Sequence, residues 1–224
     1  MREQVLEALY RDKIIAIVRG QRPEVMRDLA GALAAGGIRF LEITFRQDAQ
    51  ETWRDTAQAI AAVREAFPAL HAGAGTVMTP EQLELARAAG AEYIISPNAD
   101  RQIIEATRAL GLVSLPGAFT PSEIAAAHAW GADIVKVFPA GNLGPAYIKA
   151  IRAPLRHIPL MAVGGVDEHN AAEFLAAGAM GLGIGGNLVN AKWIEAGEFA
   201  KITALAATYV RAVGGEVPGM RPEC

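Results

Sequence analysis

The chain has 224 residues, 20% of them charged and 52% hydrophobic, with a formal net charge of −3. That balance argues against a nucleic-acid protein, which carries a basic face, and no apolar run approaches the ~18 residues that mark a membrane span. The one cysteine, Cys224, is the last residue, so an internal disulfide and a cysteine-based metal site are both ruled out, as suits a reducing cytoplasm.

The opening residues, MREQVLEALYRDK, read as a short amphipathic helix and not as a signal peptide. Beyond them, short apolar or β-branched runs alternate with Ala-rich stretches of helical period. Eight runs are candidate strands: KIIAIVR (13–19), IRFLEITF (38–45), LHAGAG (70–75), EYIISP (92–97), LVSLPG (112–117), DIVKVFP (133–139), PLMAVGG (159–165) and GLGIGG (181–186). Helices are predicted over TPEQLELARAAGA (79–91), TPSEIAAAHAWGA (120–132) and DEHNAAEFLAAGA (167–179). Thr79 and Thr120 are N-caps with Pro at the first helical position. The glycine of AAG or AWG stops each helix, and LAAGGI (33–38) repeats that ending.

Eight strand-plus-helix units at roughly 20–30-residue spacing predict a (β/α)8 TIM barrel, a single domain over 1–224 with a short N-terminal helix. An open doubly wound sheet is the runner-up, but no G-x-G-x-x-G follows the first strand. In a barrel the chemistry sits at the carboxyl ends of the strands. Those ends carry Arg19, Glu42 with Thr44 and Arg46, Thr76, Lys136, and the glycine pairs Gly164–Gly165 and Gly185–Gly186.

Lys136 is one of five lysines and lies inside an apolar run. Alternation puts Ile134, Lys136 and Phe138 on one face of its strand and Val135 and Val137 on the other. Two readings compete. The stem lies on apolar surface while the ammonium reaches the rim, or hydrophobic surroundings lower the pKa and deliver a neutral amine to a ketone as an imine-forming lysine. Lys13 starts a strand on the wrong face, and Lys149, Lys192 and Lys201 fall in helical or polar stretches.

Phe40, Glu42, Thr44 and Arg46 share one parity, so a carboxylate and a guanidinium are expected on one side of the second strand. They form a structural ion pair or, beside Lys136, part of the acid/base machinery that imine chemistry requires. AVGGV (162–166) and GIGGN (183–187) end the seventh and eighth strands, where barrels often bind phosphate through backbone N–H groups.

These residues, with GAGTV (73–77), SPN (96–98), PGAFTPSEI (116–124) and GPAYIKAI (144–151), resemble one family in order from about residue 13 to 190. It comprises the 2-keto-3-deoxy-6-phosphogluconate (KDPG), 4-hydroxy-2-oxoglutarate (KHG) and 2-keto-3-deoxy-6-phosphogalactonate aldolases. The resemblance implies a class I aldolase on a (β/α)8 barrel, a homotrimer, with no metal and no cofactor. It implies cleavage of a phosphorylated 2-keto-3-deoxy sugar acid to pyruvate and glyceraldehyde 3-phosphate. The alternative substrates are 4-hydroxy-2-oxoglutarate or a non-phosphorylated sugar acid.

Position by position, Lys136 resembles the imine-forming lysine and Glu42 the general acid/base. Thr76 and Arg46 resemble the groups that hold the pyruvyl carboxylate, and Arg19 resembles an arginine that shares the task. Pro97 and Phe138 look like packing around the lysine, and Gly164, Gly165, Gly185 and Gly186 resemble a phosphate cradle. Two positions depart from the pattern. Asn187 stands where Ser is common, and Val163 where the phosphogluconate enzymes often have Thr. Val163 with GPAYIKA is closer to the phosphogalactonate branch and Arg46 to the phosphogluconate branch, so the epimer stays open.

Two rival classes fit less well. A phosphate-binding barrel epimerase or isomerase that uses a metal needs His and Asp at strand ends, but His71, His128, His157 and His169 fall at a strand start, mid-helix, before a strand and in a helix opening. A non-catalytic sugar-acid binder would not require a buried amine. Trp53, Trp130 and Trp193 are candidates for a subunit interface or simply covers of their own helices.

Overall fold

A computed structural model describes residues 2–218, so Cys224 lies outside the described residues. Each change of hydrophobic period becomes a change of element. α1 (Arg2–Asp12) leads into β1 (Ile14–Val18), α2 (Pro23–Ala35), β2 (Phe40–Thr44), α3 (Trp53–Ala66) and β3 (His71–Gly75). α4 (Pro80–Ala88), β4 (Tyr93–Ile95), α5 (Arg101–Ala109), β5 (Val113–Leu115), β6 (Gly117–Ala118), α6 (Pro121–Ala129) and β7 (Val135–Val137) follow. α7 (Gly144–Arg152), β8 (Leu160–Val163), α8 (Ala171–Ala176), β9 (Gly181–Ile184), α9 (Ala191–Glu195) and α10 (Phe199–Ala212) complete the order.

The strands are parallel, in the order β5-β4-β3-β2-β1-β9-β8-β7-β6. Eight strands were expected and the described residues form nine, because the fifth run breaks at Pro116, which has no N–H to give. β5 pairs with β4, and β6 pairs with β7. The Ser114 carbonyl also accepts from the N–H groups of Asp133 and Ile134, and the Pro116 carbonyl from that of Lys136. One broken stave therefore touches both neighbours and brings the sheet round into a nearly closed TIM-like barrel.

Side-chain alternation splits the core in two. Ile14, Ala16, Val18, Leu41, Val135 and Val137 face outward into the layer packed by the helices. Ile15, Ile17, Phe40, Tyr93, Ile134 and Met161 face inward. Val5, Ala8 and Leu9 of α1 join this inner cluster, so the first helix seals the end where the strands begin. The Asp133 carboxylate, accepting from Arg2 and from Arg108 and the Ser114 N–H, ties α1 to that end.

The helix starts at Thr79 and Thr120 form as expected, each a reciprocal capping box with Gln82 and Glu123 respectively. Gly90 and Gly131 end two helices at φ +83° and +101°, where a side chain would be strained. The helix expected from Asp167 begins only at Ala171. Side chains of Asp167 and Asn170 take up the N–H groups of 167, 169 and 170 and hold that stretch as a turn.

Trp53 is not the exposed aromatic that an interface candidate was expected to be. It is buried against Phe45, and its indole N–H donates to the Arg46 carbonyl. Trp130 and Trp193 are half-buried against the outer core. Among the described residues no helix is long and apolar enough to cross a membrane.

Candidate active site

Glu42 and Lys136 occupy the inner faces of β2 and β7, one alternation step beyond Phe40 and Ile134. They are 2% and 5% exposed. A charge buried that deeply is costly unless its surroundings compensate. Burial pulls the Lys136 ammonium below the ordinary lysine value, with Glu42 opposing the shift and Arg19 adding to it. Burial likewise pushes the Glu42 carboxyl up, while Lys136 and Arg19 hold it down. Both groups are thus moved toward their neutral forms, the state in which an amine attacks and an acid donates. Lys136 Nζ also stands 4.9 Å from the centre of the Phe138 ring.

Two glycines on the inner face of β3 make the room for this arrangement. A Cβ on Gly75 would lie 2.0 Å from Glu42 Oε1, and one on Gly73 2.3 Å from the Tyr93 ring. Glu42 therefore leans over β3 into space that only glycine leaves. Thr76, the next residue, is held at φ +55°, a strained conformation for a β-branched side chain. Its carbonyl accepts from the Gln47 amide at 2.7 Å.

Arg19 follows β1, with its guanidinium over the turn after β9. A Cβ on Gly185 would sit 2.8 Å from Arg19 Nη1. In the turn after β8, Gly164 and Gly165 adopt φ +87° and +75°. A Cβ on Gly165 would lie 2.8 Å from the Gly141 Cα, so two backbones meet there.

Known proteins are similar to this chain in sequence and in fold. Residues 5–205 match the KDPG and KHG aldolase family. The chain belongs to that family. It is 37% identical over 212 residues to a 2-dehydro-3-deoxy-phosphogluconate aldolase of Treponema pallidum, covering 94% of this chain and 98% of the relative. It is 36% identical over 203 residues to a 2-dehydro-3-deoxy-6-phosphogalactonate aldolase of Escherichia coli, covering 89% and 93%. A KDPG aldolase of Legionella pneumophila, crystallised with pyruvate as a covalent carbinolamine intermediate, superposes with a TM-score of 0.81 at 29% identity, covering 90% and 96% of the two chains.

In this aldolase the structure brings Lys136, Glu42, Arg19 and Phe138 together at the carboxyl end of the barrel. Val163 is buried in the inner wall, and a Cβ on its neighbour Gly183 would meet it at 2.8 Å. Pro97 sits against the fifth stave, its carbonyl oxygen 2.3 Å from where a Gly117 Cβ would be. Arg46 is the exception. β2 ends at Thr44, so the parity that aligned Arg46 with Glu42 does not continue. The Arg46 guanidinium is 52% exposed and paired with Asp48 at 2.9 Å, and no Glu42–Arg46 ion pair forms. Thr44 instead donates its hydroxyl to the Val18 carbonyl.

Gly75 beside Glu42, Gly141 against Gly165, and Asn170 donating to the Gly165 carbonyl are not singled out by the sequence. The first had a signal in the period-two glycines of HAGAG, and Asn170 one in the Asp-x-x-Asn spacing of DEHN. Gly141 had none. Among the described residues no three His, Cys, Asp or Glu side chains gather in metal-binding proximity.

Proposed function

We propose that this aldolase cleaves a 2-keto-3-deoxy-6-phospho sugar acid to pyruvate and glyceraldehyde 3-phosphate through an imine on Lys136. The observation that carries the reading is the pair of buried, mutually interacting groups Lys136 and Glu42 on the inner wall. The neutral Lys136 amine adds to the C2 ketone to give a carbinolamine, and the Glu42 carboxylic acid protonates its hydroxyl, which leaves as water to give a protonated imine and the Glu42 carboxylate. The Glu42 carboxylate takes the C4 hydroxyl proton, directly or through water, as the C3–C4 bond breaks. The bonding pair moves into the imine as an enamine, and the aldehyde leaves. Glu42, now a carboxylic acid, returns a proton to C3. Water then hydrolyses the protonated imine to pyruvate and the free amine, and the proton released returns to the Glu42 carboxylate.

Arg19 and Thr76 are assigned to the pyruvyl carboxylate, supported by the position of Arg19 beside both catalytic groups. Arg46 is assigned there as well on its match to the family motif, and reaching the carboxylate requires it to leave Asp48. Pro97, Phe138 and Val163 pack the wall around the imine. The turns at Gly164–Gly165 and Gly185–Gly186 are assigned to the phosphate. The family resemblance further supports a homotrimer, a cytoplasmic location and a chain that folds as one barrel without metal or cofactor.

The test is pyruvate release from the gluconate and galactonate epimers, each with and without the 6-phosphate. Cleavage of at least one phosphorylated epimer is expected. Turnover of 4-hydroxy-2-oxoglutarate alone would replace the sugar-acid assignment, and no pyruvate from any of them would overturn it.

A further inference from the structure

Three consecutive carbonyls in the turn after β8 are each held from outside that turn. The Gly164 carbonyl accepts from the Gly141 N–H at 2.7 Å. The Gly165 carbonyl accepts from the Asn170 side-chain amide at 2.9 Å. The Val166 carbonyl accepts from the Asn187 side-chain amide at 2.8 Å. In a planar trans peptide the C=O of one residue and the N–H of the next point in opposite directions. Holding the first two carbonyls therefore turns the N–H groups of Gly165 and Val166 the other way.

Neither of those N–H groups has an acceptor among the described residues. The third is different, because the Asp167 N–H is taken by Asn170 Oδ1 at 2.9 Å. The second loop follows the same rule. The Gly185 carbonyl accepts from the N–H groups of Leu188 and Val189 at 2.9 and 2.8 Å, which turns the Gly186 N–H away, again without an acceptor. Successive free N–H groups at a turn of this kind form an anion-binding concavity.

We infer that Asn170 and Asn187 are positioning residues for a phosphate-monoester site formed by the backbone N–H groups of Gly165, Val166 and Gly186. The inference rests on the reading that the substrate carries a phosphate. Asn187 acts through Val166: its amide joins the β9 loop to the β8 loop and is already engaged by a carbonyl. Asn170 does the same work one peptide earlier, and its Oδ1 closes the turn behind it.

The experiment compares wild type, Asn187→Ala and Asn170→Ala on the phosphorylated substrate, on its dephosphorylated analogue and in pyruvate imine trapping. Thermal unfolding confirms that each variant is folded. Either variant should lower kcat/KM for the phosphorylated substrate about tenfold, the scale of one lost hydrogen bond, mainly through KM. Cleavage of the dephosphorylated analogue and imine trapping should stay at wild-type levels. Equal losses on both substrates would make the asparagines merely structural and overturn the inference. So would a phosphate-selective loss at Asn187 alone, which would place its amide on the ligand. A wild type that treats both substrates alike would instead remove the phosphate reading itself.

Discussion

The two ends of the barrel interior are built from the same strands, one alternation step apart, and they do opposite things. At the amino ends Phe40 and Ile134 join Tyr93 and Met161 beneath Val5, Ala8 and Leu9 of α1. One step on, β2 and β7 present Glu42 and Lys136 in place of the apolar pair. Burial stabilises the floor by about 25 cal/mol per Å² of apolar surface. The same burial works against the ionised forms of the two groups above it. The site is thus made where the strand pattern is broken, and the apolar floor offsets the cost.

Substitutions at the two levels should therefore separate chemistry from stability. Lys136→Arg keeps the charge but cannot form the imine, so kcat/KM for cleavage should fall by about 10⁶, the loss seen when a covalent nucleophile is removed. Retained turnover would place the nucleophile elsewhere. Glu42→Gln should slow kcat by about 10²–10⁴ while an imine with pyruvate still forms. Wild-type kcat there would reduce Glu42 to a structural group. Gly75→Ala sharpens the point without removing a reacting group. Its Cβ would lie 2.0 Å from Glu42 Oε1, so the carboxylate must move. A misplacement of that order costs about 10²-fold in kcat, and an unchanged kcat would show that the slot over β3 is not needed.

Leu9→Ala probes the floor and should have the smallest effect on rate. It should cost about 2–5 kcal/mol in a denaturant titration, with kcat of the folded enzyme unchanged. A rate loss as steep as that of Gly75→Ala would erase the distinction between the two levels.

Lys136 and Glu42 are legible in sequence because each breaks an apolar alternation, a signal that runs along the chain. The strands and the caps at Thr79 and Thr120 are legible for the same reason. Arg46 was aligned with Glu42 by counting in twos, which holds only while the strand does, and β2 stops at Thr44. The fifth stave reads as one run because nothing local shows that its two halves, on either side of Pro116, pair with different neighbours. DEHN carries helix-start residues, yet its side chains bond the backbone into a turn first. The clamp on residues 164–166 uses a backbone N–H at Gly141 and an amide at Asn187, partners that only the folded chain brings together.

The central claim is that Lys136 alone forms the imine. Borohydride added with pyruvate reduces an imine to a stable secondary amine, and peptide mapping by mass spectrometry locates it. Lys136 is the buried lysine on the inner wall, whereas Lys13 is half-buried and Lys149, Lys192 and Lys201 are exposed. The account predicts irreversible inactivation with the added mass on Lys136 and on none of the other four. An adduct on another lysine, or full cleavage activity with no adduct at all, would contradict it.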